Sequence, residues 1–143
     1  MVIDKSLLEK KLEILKEYLA QIEEMNFQEN NLVEKLDIQQ LLSFRLQQAI
    51  ETSIDIATYL IAGLSLERQE TAKTAFAVLG KEKIIASDLA EKMGLAGGLR
   101  NLIVHSYGEV DFKRLFYDYK EDLNDLREFA RQINEFIQKQ SNN

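Results

Sequence analysis

The sequence contains no cysteine, no proline and no tryptophan, and it has one histidine among 143 residues. Without cysteine the chain forms no disulfide, no thiolate nucleophile and no cysteine-ligated metal site. A single histidine excludes a metal site built from several imidazoles of one chain. Because no proline interrupts a helix interior, long helices are permitted throughout. The chemistry of the chain must come from the lone histidine and from charged, amide or hydroxyl groups.

Positive charge and long apolar runs are also scarce. The 18 Lys and Arg residues face 24 Asp and Glu residues, a formal net charge of −6, so any contact with a polyanion must be local. Residues 1–5 lack the basic segment and apolar run of a signal peptide, so we expect none, and the least charged stretch, 52–66, is too short to cross a bilayer. We expect a cytoplasmic protein that does not associate with membranes, with residues 1–143 forming one domain.

The sequence is rich in helical periodicity. Apolar residues recur at steps of three and four, and no segment alternates with a period of two. The predicted helices cover residues 4–25, 37–61, 67–79, a segment capped by Ser87 or Asp88, and 112–137. The asparagine-rich stretch 26–31 predicts a loop. The predicted fold is an all-α, up-and-down bundle of four to five helices.

Two of the predicted helices carry expectations about packing. Apolar residues of 37–61 cover more than one stripe, which is typical of a central helix. The helix 112–137 has more apolar surface than one small bundle covers, which favours a dimer. Its acidic side chains are interpreted as a solvated face; they are Asp118, Glu121, Asp122 and Asp125.

Residues 97–108 concentrate the groups that can carry chemistry. This segment contains Arg100, Asn101, His105 and Tyr107. On spacing alone, His105 is most simply a packed or capping residue near a helix C-terminus. Arg100 is then an ordinary ion-pair partner, and Tyr107 a half-buried packing residue.

Arg100, His105 and Tyr107 follow the pattern Arg-x4-His-x-Tyr, and this pattern resembles the signature of the HepT-like toxins of the HEPN superfamily. The resemblance extends over about residues 37–137, with Gly98 standing where many relatives have an aromatic residue. It implies a homodimeric, metal-independent RNA endonuclease without a cofactor, acting on tRNA or mRNA as the toxin of a toxin–antitoxin pair. The resemblance assigns catalysis to Arg100 and His105. It also implies a minimal nucleotidyltransferase (MNT) antitoxin that inactivates the chain by adenylylating Tyr107.

The residue types suit this reaction. Metal-free RNA cleavage removes a proton from the ribose 2′-OH, stabilises charge on the phosphate and protonates the leaving 5′-oxygen. An imidazole transfers protons near neutral pH, and a guanidinium binds two phosphate oxygens. Asn101 is a candidate to orient the imidazole or to donate to the phosphate. An adenylate on Tyr107 would pair with Arg100 and occupy the RNA path.

The spacing of the motif bears on assembly. If residues 100–107 stay helical, His105 lies about 140° from Arg100 around the helix axis, so one chain does not bring the groups together. A two-fold cleft between two chains, or a helix end distorted before Gly108, would do so. We favour the dimer, which also supplies the second histidine.

Glu51 and Asp55 lie one helical turn apart on the predicted central helix. The simplest interpretation is that they pair with arginines. The alternative is that one of them orients Arg100 or His105. No metal site is predicted.

A second class of function also remains open. In it, the chain is a non-catalytic helical partner of a nucleotidyltransferase, and the same cleft binds nucleotide or protein. An assay of RNA cleavage separates this interpretation from the endonuclease.

Overall fold

The computed structural model describes residues 3–141, and these residues form six α-helices and one 3₁₀ turn without a strand. The all-α prediction is confirmed. None of these helices is long and apolar enough to span a membrane. The elements are α1 (Lys5–Glu23), α2 (Glu29–Glu34), α3 (Leu36–Gly63), α4 (Ala72–Lys81), α5 (Ser87–His105), the 3₁₀ turn (Tyr107–Glu109) and α6 (Phe112–Ser141).

The helix that the periodicity missed is α2. It begins inside the predicted loop at 26–31, because the Asn31 side chain accepts a hydrogen bond of 2.8 Å from the Gln28 N–H and stabilises the first turn. Two other predicted starts differ from the structure. Helix α4 begins at Ala72 because the Thr71 hydroxyl accepts from the Thr74 N–H. Ser87 is the first residue of α5 and not its cap.

Helices α1 and α3 lie antiparallel. The Asp4 N–H donates to the Tyr59 hydroxyl at 2.8 Å, and at the other end Arg45 donates to the Gln21 carbonyl at 2.7 Å. Every apolar residue of the predicted α1 stripe is buried. Helix α3 packs against all five other α-helices, so it is the central helix that its pattern predicts. The core is built around α3; its largest buried rings, Phe76 and Phe129, meet edge to face.

Helix α6 corrects two expectations. Its apolar stripe is covered within the chain, and Tyr117 is its one large apolar side chain that is exposed among the described residues. The argument for a dimer from uncovered surface on this helix is therefore wrong. The acidic face is not uniformly solvated either, because Asp122 is partly buried. Burial and the neighbouring carboxylates, of which Asp125 is the strongest influence, raise the pKa of Asp122 to about 7.

Candidate active site

The Arg-x4-His-x-Tyr motif spans the C-terminal end of α5. The helix ends at His105, and Ser106 leaves the helical conformation with φ −144° and ψ 44°. The Glu109 N–H then donates to the Ser106 carbonyl at 2.8 Å, which closes the 3₁₀ turn. Asp111 caps α6 by accepting from the Arg114 N–H at 3.1 Å. The helix end is therefore distorted before Gly108, but the distortion begins after His105 and does not bring His105 to Arg100.

Arg100 is held against the central helix. Its Nε donates to Glu51 Oε1 at 3.1 Å, and its Nη1 donates to Asn101 Oδ1 at 2.8 Å. The Arg100 and Glu51 side chains are 31% and 33% exposed, so the pair is neither fully buried nor fully solvated. No residue within 3–141 contacts Nη2 through a hydrogen bond or ion pair. The guanidinium is thus oriented by two nitrogens, while the third is free to bind an anion.

Glu51 has a second contact that the sequence analysis missed. Gln47 Nε2 lies 3.4 Å from the same Glu51 oxygen, one turn earlier on α3. The signal was present in the sequence, since residues four apart on a helix face one another. Gln47 and Arg100 together orient the Glu51 carboxylate.

Asp55 lies outside this group. Its carboxylate pairs with Lys11 of α1 at 2.5 Å, and the Lys11 ammonium lies 5.9 Å from the centre of the Tyr59 ring. Of the two carboxylates considered from the sequence, Glu51 contacts the motif and Asp55 does not. Within residues 3–141, no three His, Asp or Glu side chains are grouped so that they could hold a metal ion.

His105 is exposed, and no hydrogen bond or ion pair holds its ring in the described part of the chain. It shares the outer face of α5 with Leu95, Gly98 and Asn101, which recur at steps of three and four. Leu95 is 74% exposed, and a Cβ on Gly98 would meet nothing within 4 Å. Since α5 stays helical from Arg100 to His105, the two side chains lie about 140° apart around its axis.

Tyr107 faces inward from the 3₁₀ turn. Its ring meets that of Phe112 edge to face, with 5.8 Å between the centroids. The hydroxyl oxygen is buried and has no hydrogen-bond partner among residues 3–141. Within residues 3–141, the Arg100 guanidinium is therefore held by hydrogen bonds, the His105 imidazole is unpaired on another face of α5, and the Tyr107 hydroxyl is buried.

Comparison with known proteins shows the family of the chain. A family profile described as "Ribonuclease HepT-like" matches residues 8–133. The chain belongs to the HepT-like ribonuclease family. It is 30% identical over 137 residues to the tRNA nuclease HepT of Aphanizomenon flos-aquae, covering 94% of this chain and 92% of that protein. The resemblance noted from the sequence motif is confirmed.

Two further similarities agree with this family. The mRNA nuclease HepT of Shewanella oneidensis is 23% identical over 119 residues, or 83% of this HepT-like chain and 90% of that protein. The tri-AMPylated Shewanella oneidensis HEPN toxin, solved in complex with MNT antitoxin, superposes with a TM-score of 0.83 at 22% identity. That match covers 94% of this chain and 99% of the toxin chain. The two chains share a fold.

Proposed function

We propose that this HepT-like chain is a metal-independent RNA endonuclease and the toxin of a toxin–antitoxin pair. The observation that carries the proposal is the Arg100 and His105 pair in a chain of this family. Among residues 3–141, the guanidinium is oriented by Glu51 and Asn101 while Nη2 has no partner, and the imidazole is exposed and unpaired. Because relatives are named tRNA nuclease and mRNA nuclease, the proposed substrates are tRNA or mRNA in the cytoplasm.

In the proposed reaction, one His105 imidazole removes the proton from a ribose 2′-OH, and the 2′-oxygen attacks the adjacent phosphorus. Arg100 Nη2 donates to the phosphate oxygens, on which negative charge builds up in the transition state. A second imidazole protonates the departing 5′-oxygen. The products are a 2′,3′-cyclic phosphate and a 5′-hydroxyl. Glu51 keeps the guanidinium in place, and Asn101 assists as its second anchor.

The proposed active unit is a homodimer. The reaction needs a base and an acid, whereas one chain has one histidine. The outer face of α5 carries His105 together with Leu95, which is exposed, and Val104, next to His105 at the end of the helix, is exposed as well. A two-fold axis beside the C-terminal end of α5, where the motif lies, would bring a second imidazole and the partner's guanidinium to one cleft. The exposed apolar surface on α5 supports this arrangement, in place of the rejected argument from α6.

The proposed regulator is an MNT antitoxin that adenylylates Tyr107. Support comes from the solved HEPN toxin that is AMPylated and in complex with MNT antitoxin. Tyr107 lies two residues beyond His105, so a nucleotide attached there would block the RNA path. Its phosphate would also compete for the free nitrogen of Arg100.

The deciding experiment is cleavage of total RNA in EDTA by protein whose intact mass shows no adenylate. We compare wild type with His105→Ala and with Lys10→Ala, a control at an exposed position on α1. Wild type and the control should produce discrete fragments, and His105→Ala should be slower by about 10²–10⁴-fold. Intact RNA in every sample would contradict the endonuclease proposal and favour a non-catalytic partner of a nucleotidyltransferase.

A further inference from the structure

The hydroxyl that the proposed regulation modifies is out of reach in this structure. The Tyr107 oxygen is buried, and the rings of Tyr107 and Phe112 both pack against the hydrophobic core. Reacting atoms must approach to about 3–3.5 Å, with their orbitals aligned. A nucleoside triphosphate held by another protein cannot bring its α-phosphorus that close to an enclosed oxygen. The phenol must move before it reacts.

The segment that carries Tyr107 is built to allow such a movement. We call residues 106–111 the α5–α6 link. Between the two long helices it contains one short 3₁₀ turn, and Ser106 at its start is outside the helical conformation. The link is thus held by few backbone hydrogen bonds compared with the helices that flank it.

Gly108 supports the same conclusion from a different observation. Its backbone is not in the left-handed region, and an added Cβ would meet nothing within 4 Å. Neither the backbone conformation of residue 108 nor the space around it requires glycine in the observed structure. Glycine does increase the backbone freedom of the link, which favours conformations other than the observed one.

The buried hydroxyl of Tyr107 also favours movement of this side chain out of the core. In the observed position no described residue gives the hydroxyl a hydrogen bond, whereas water supplies one when the phenol is exposed. The edge-to-face contact with Phe112 and the burial of the ring oppose this gain. The Tyr107 side chain is therefore held by its ring and not by its polar group.

We propose that the α5–α6 link is a gate: it opens to carry the Tyr107 phenol out of the core, and this opening limits the rate of adenylylation. The inference rests on the adenylylation step of the proposed function. In that step Tyr107 Oη bonds to the α-phosphorus of ATP, the bond from that phosphorus to the bridging oxygen breaks, and pyrophosphate leaves. The phenol proton passes to solvent. Once a nucleotide is attached, the phenol no longer fits its buried position, so the modified chain stays open.

The gate is tested first without a partner protein, by acetylating exposed phenols with N-acetylimidazole and locating the label by mass spectrometry. Tyr117 is the internal reference because it is 65% exposed. The hydrogen bond from Tyr117 to Glu29 raises the pKa of Tyr117, which slows its acetylation. The ratio of the two rates therefore understates the protection of Tyr107. We expect Tyr107 to react at least fivefold more slowly than Tyr117 in the wild type. Equal rates would overturn the gate.

Three variants test the mechanism of opening. Phe112→Ala should speed acetylation of Tyr107 at least threefold, and Gly108→Ala should slow it by a similar factor. Lys10→Ala is the control, because Lys10 is exposed on α1 and lies outside the motif and the link. It should leave the rate unchanged. Circular dichroism checks folding, and if Phe112→Ala is unfolded, the contrast between Gly108→Ala and Lys10→Ala decides the question. Equal rates in those two would contradict the gate.

A second arm uses the partner nucleotidyltransferase and ATP, with adenylate counted by intact mass. Gly108→Ala should be adenylylated at least threefold more slowly than wild type and Lys10→Ala. If all three chains are modified at the same rate, the gate is wrong while the proposed regulation stands. If Tyr107 is protected from acetylation and no chain gains adenylate, the proposed regulation is wrong, and with it the role of the gate.

Discussion

Replacing Tyr107 by phenylalanine should stabilise the protein. The substitution removes one hydroxyl that is buried without a hydrogen-bond partner in the described chain, and it keeps the ring that meets Phe112. A buried polar group left unpaired destabilises a fold by about 1–3 kcal/mol. We take the lower end, about 1 kcal/mol, because the Tyr107 side chain as a whole is only partly buried.

This free energy corresponds to a measurable change in Tm. Unfolding entropy near 60 °C is about 2.1 cal/mol/K per residue, which gives about 0.3 kcal/mol/K for a chain of 143 residues. A gain of about 1 kcal/mol therefore raises Tm by about 3 °C. Calorimetry and urea unfolding at a matched protein concentration both report the change, and the urea slope shows whether the unfolded state is altered.

Tyr59→Phe is the matched control. The Tyr59 hydroxyl is paired, since it accepts from the Asp4 N–H at 2.8 Å, so losing it should destabilise the protein by about 1 kcal/mol. The two substitutions delete the same atom and are expected to shift stability in opposite directions. If Tyr107→Phe destabilises as much as Tyr59→Phe, the Tyr107 hydroxyl has a partner, and the reasoning about its release is refuted.

Three other substitutions follow from the structure. Between pH 3.8 and about 7, Asp122 is protonated in the folded chain and ionised in the unfolded chain, because burial raises its pKa in the folded state. The free energy of unfolding therefore falls as pH rises through that interval. Asp122→Asn should therefore raise the free energy of unfolding by about 1–2 kcal/mol at pH 8, allowing for partial solvent exposure, and by little at pH 4, as measured by urea unfolding. Glu51→Gln loosens Arg100 and should lower kcat/KM for RNA about tenfold, or about 1.4 kcal/mol, with Tm nearly unchanged; an unchanged kcat/KM would deny Glu51 a positioning role. Gly80→Ala places its methyl 2.7 Å from the Ala90 Cβ, and thermal unfolding should show a loss of about 1–3 kcal/mol.

Much of the fold could be predicted from local pattern. The α1 stripe, the central position of α3 and the length of α6 all follow from the spacing of apolar residues, because a helix repeats every 3.6 residues. Boundaries were predicted less well. Helix α2 and the start of α4 depend on the caps formed by Asn31 and Thr71, which are short polar contacts without a periodic signal.

The candidate site was also predicted only in part from the sequence. The motif itself, Arg100, His105 and Tyr107, is visible in the sequence, and so is the family to which it points. Glu51 and Asp55 look equivalent in the sequence, being one turn apart on one helix. In the structure Glu51 meets Arg100, 49 residues away, and Asp55 meets Lys11, 44 residues away. Which of them serves the motif depends on how α1 and α5 pack on either side of α3.

The sequence by itself determined that the chain is helical and that its lone histidine belongs to a HepT-like motif. It also determined that the chain has few side chains suited to binding a metal, since it has no cysteine and one histidine. These properties depend on composition and on spacing within one segment. Only the tertiary structure decided that α6 is covered within the chain, that Asp122 is partly buried, and that the Tyr107 hydroxyl is buried without a partner among residues 3–141. Burial and pairing are set by side chains distant in sequence, and periodicity shows which face is apolar without showing what covers it.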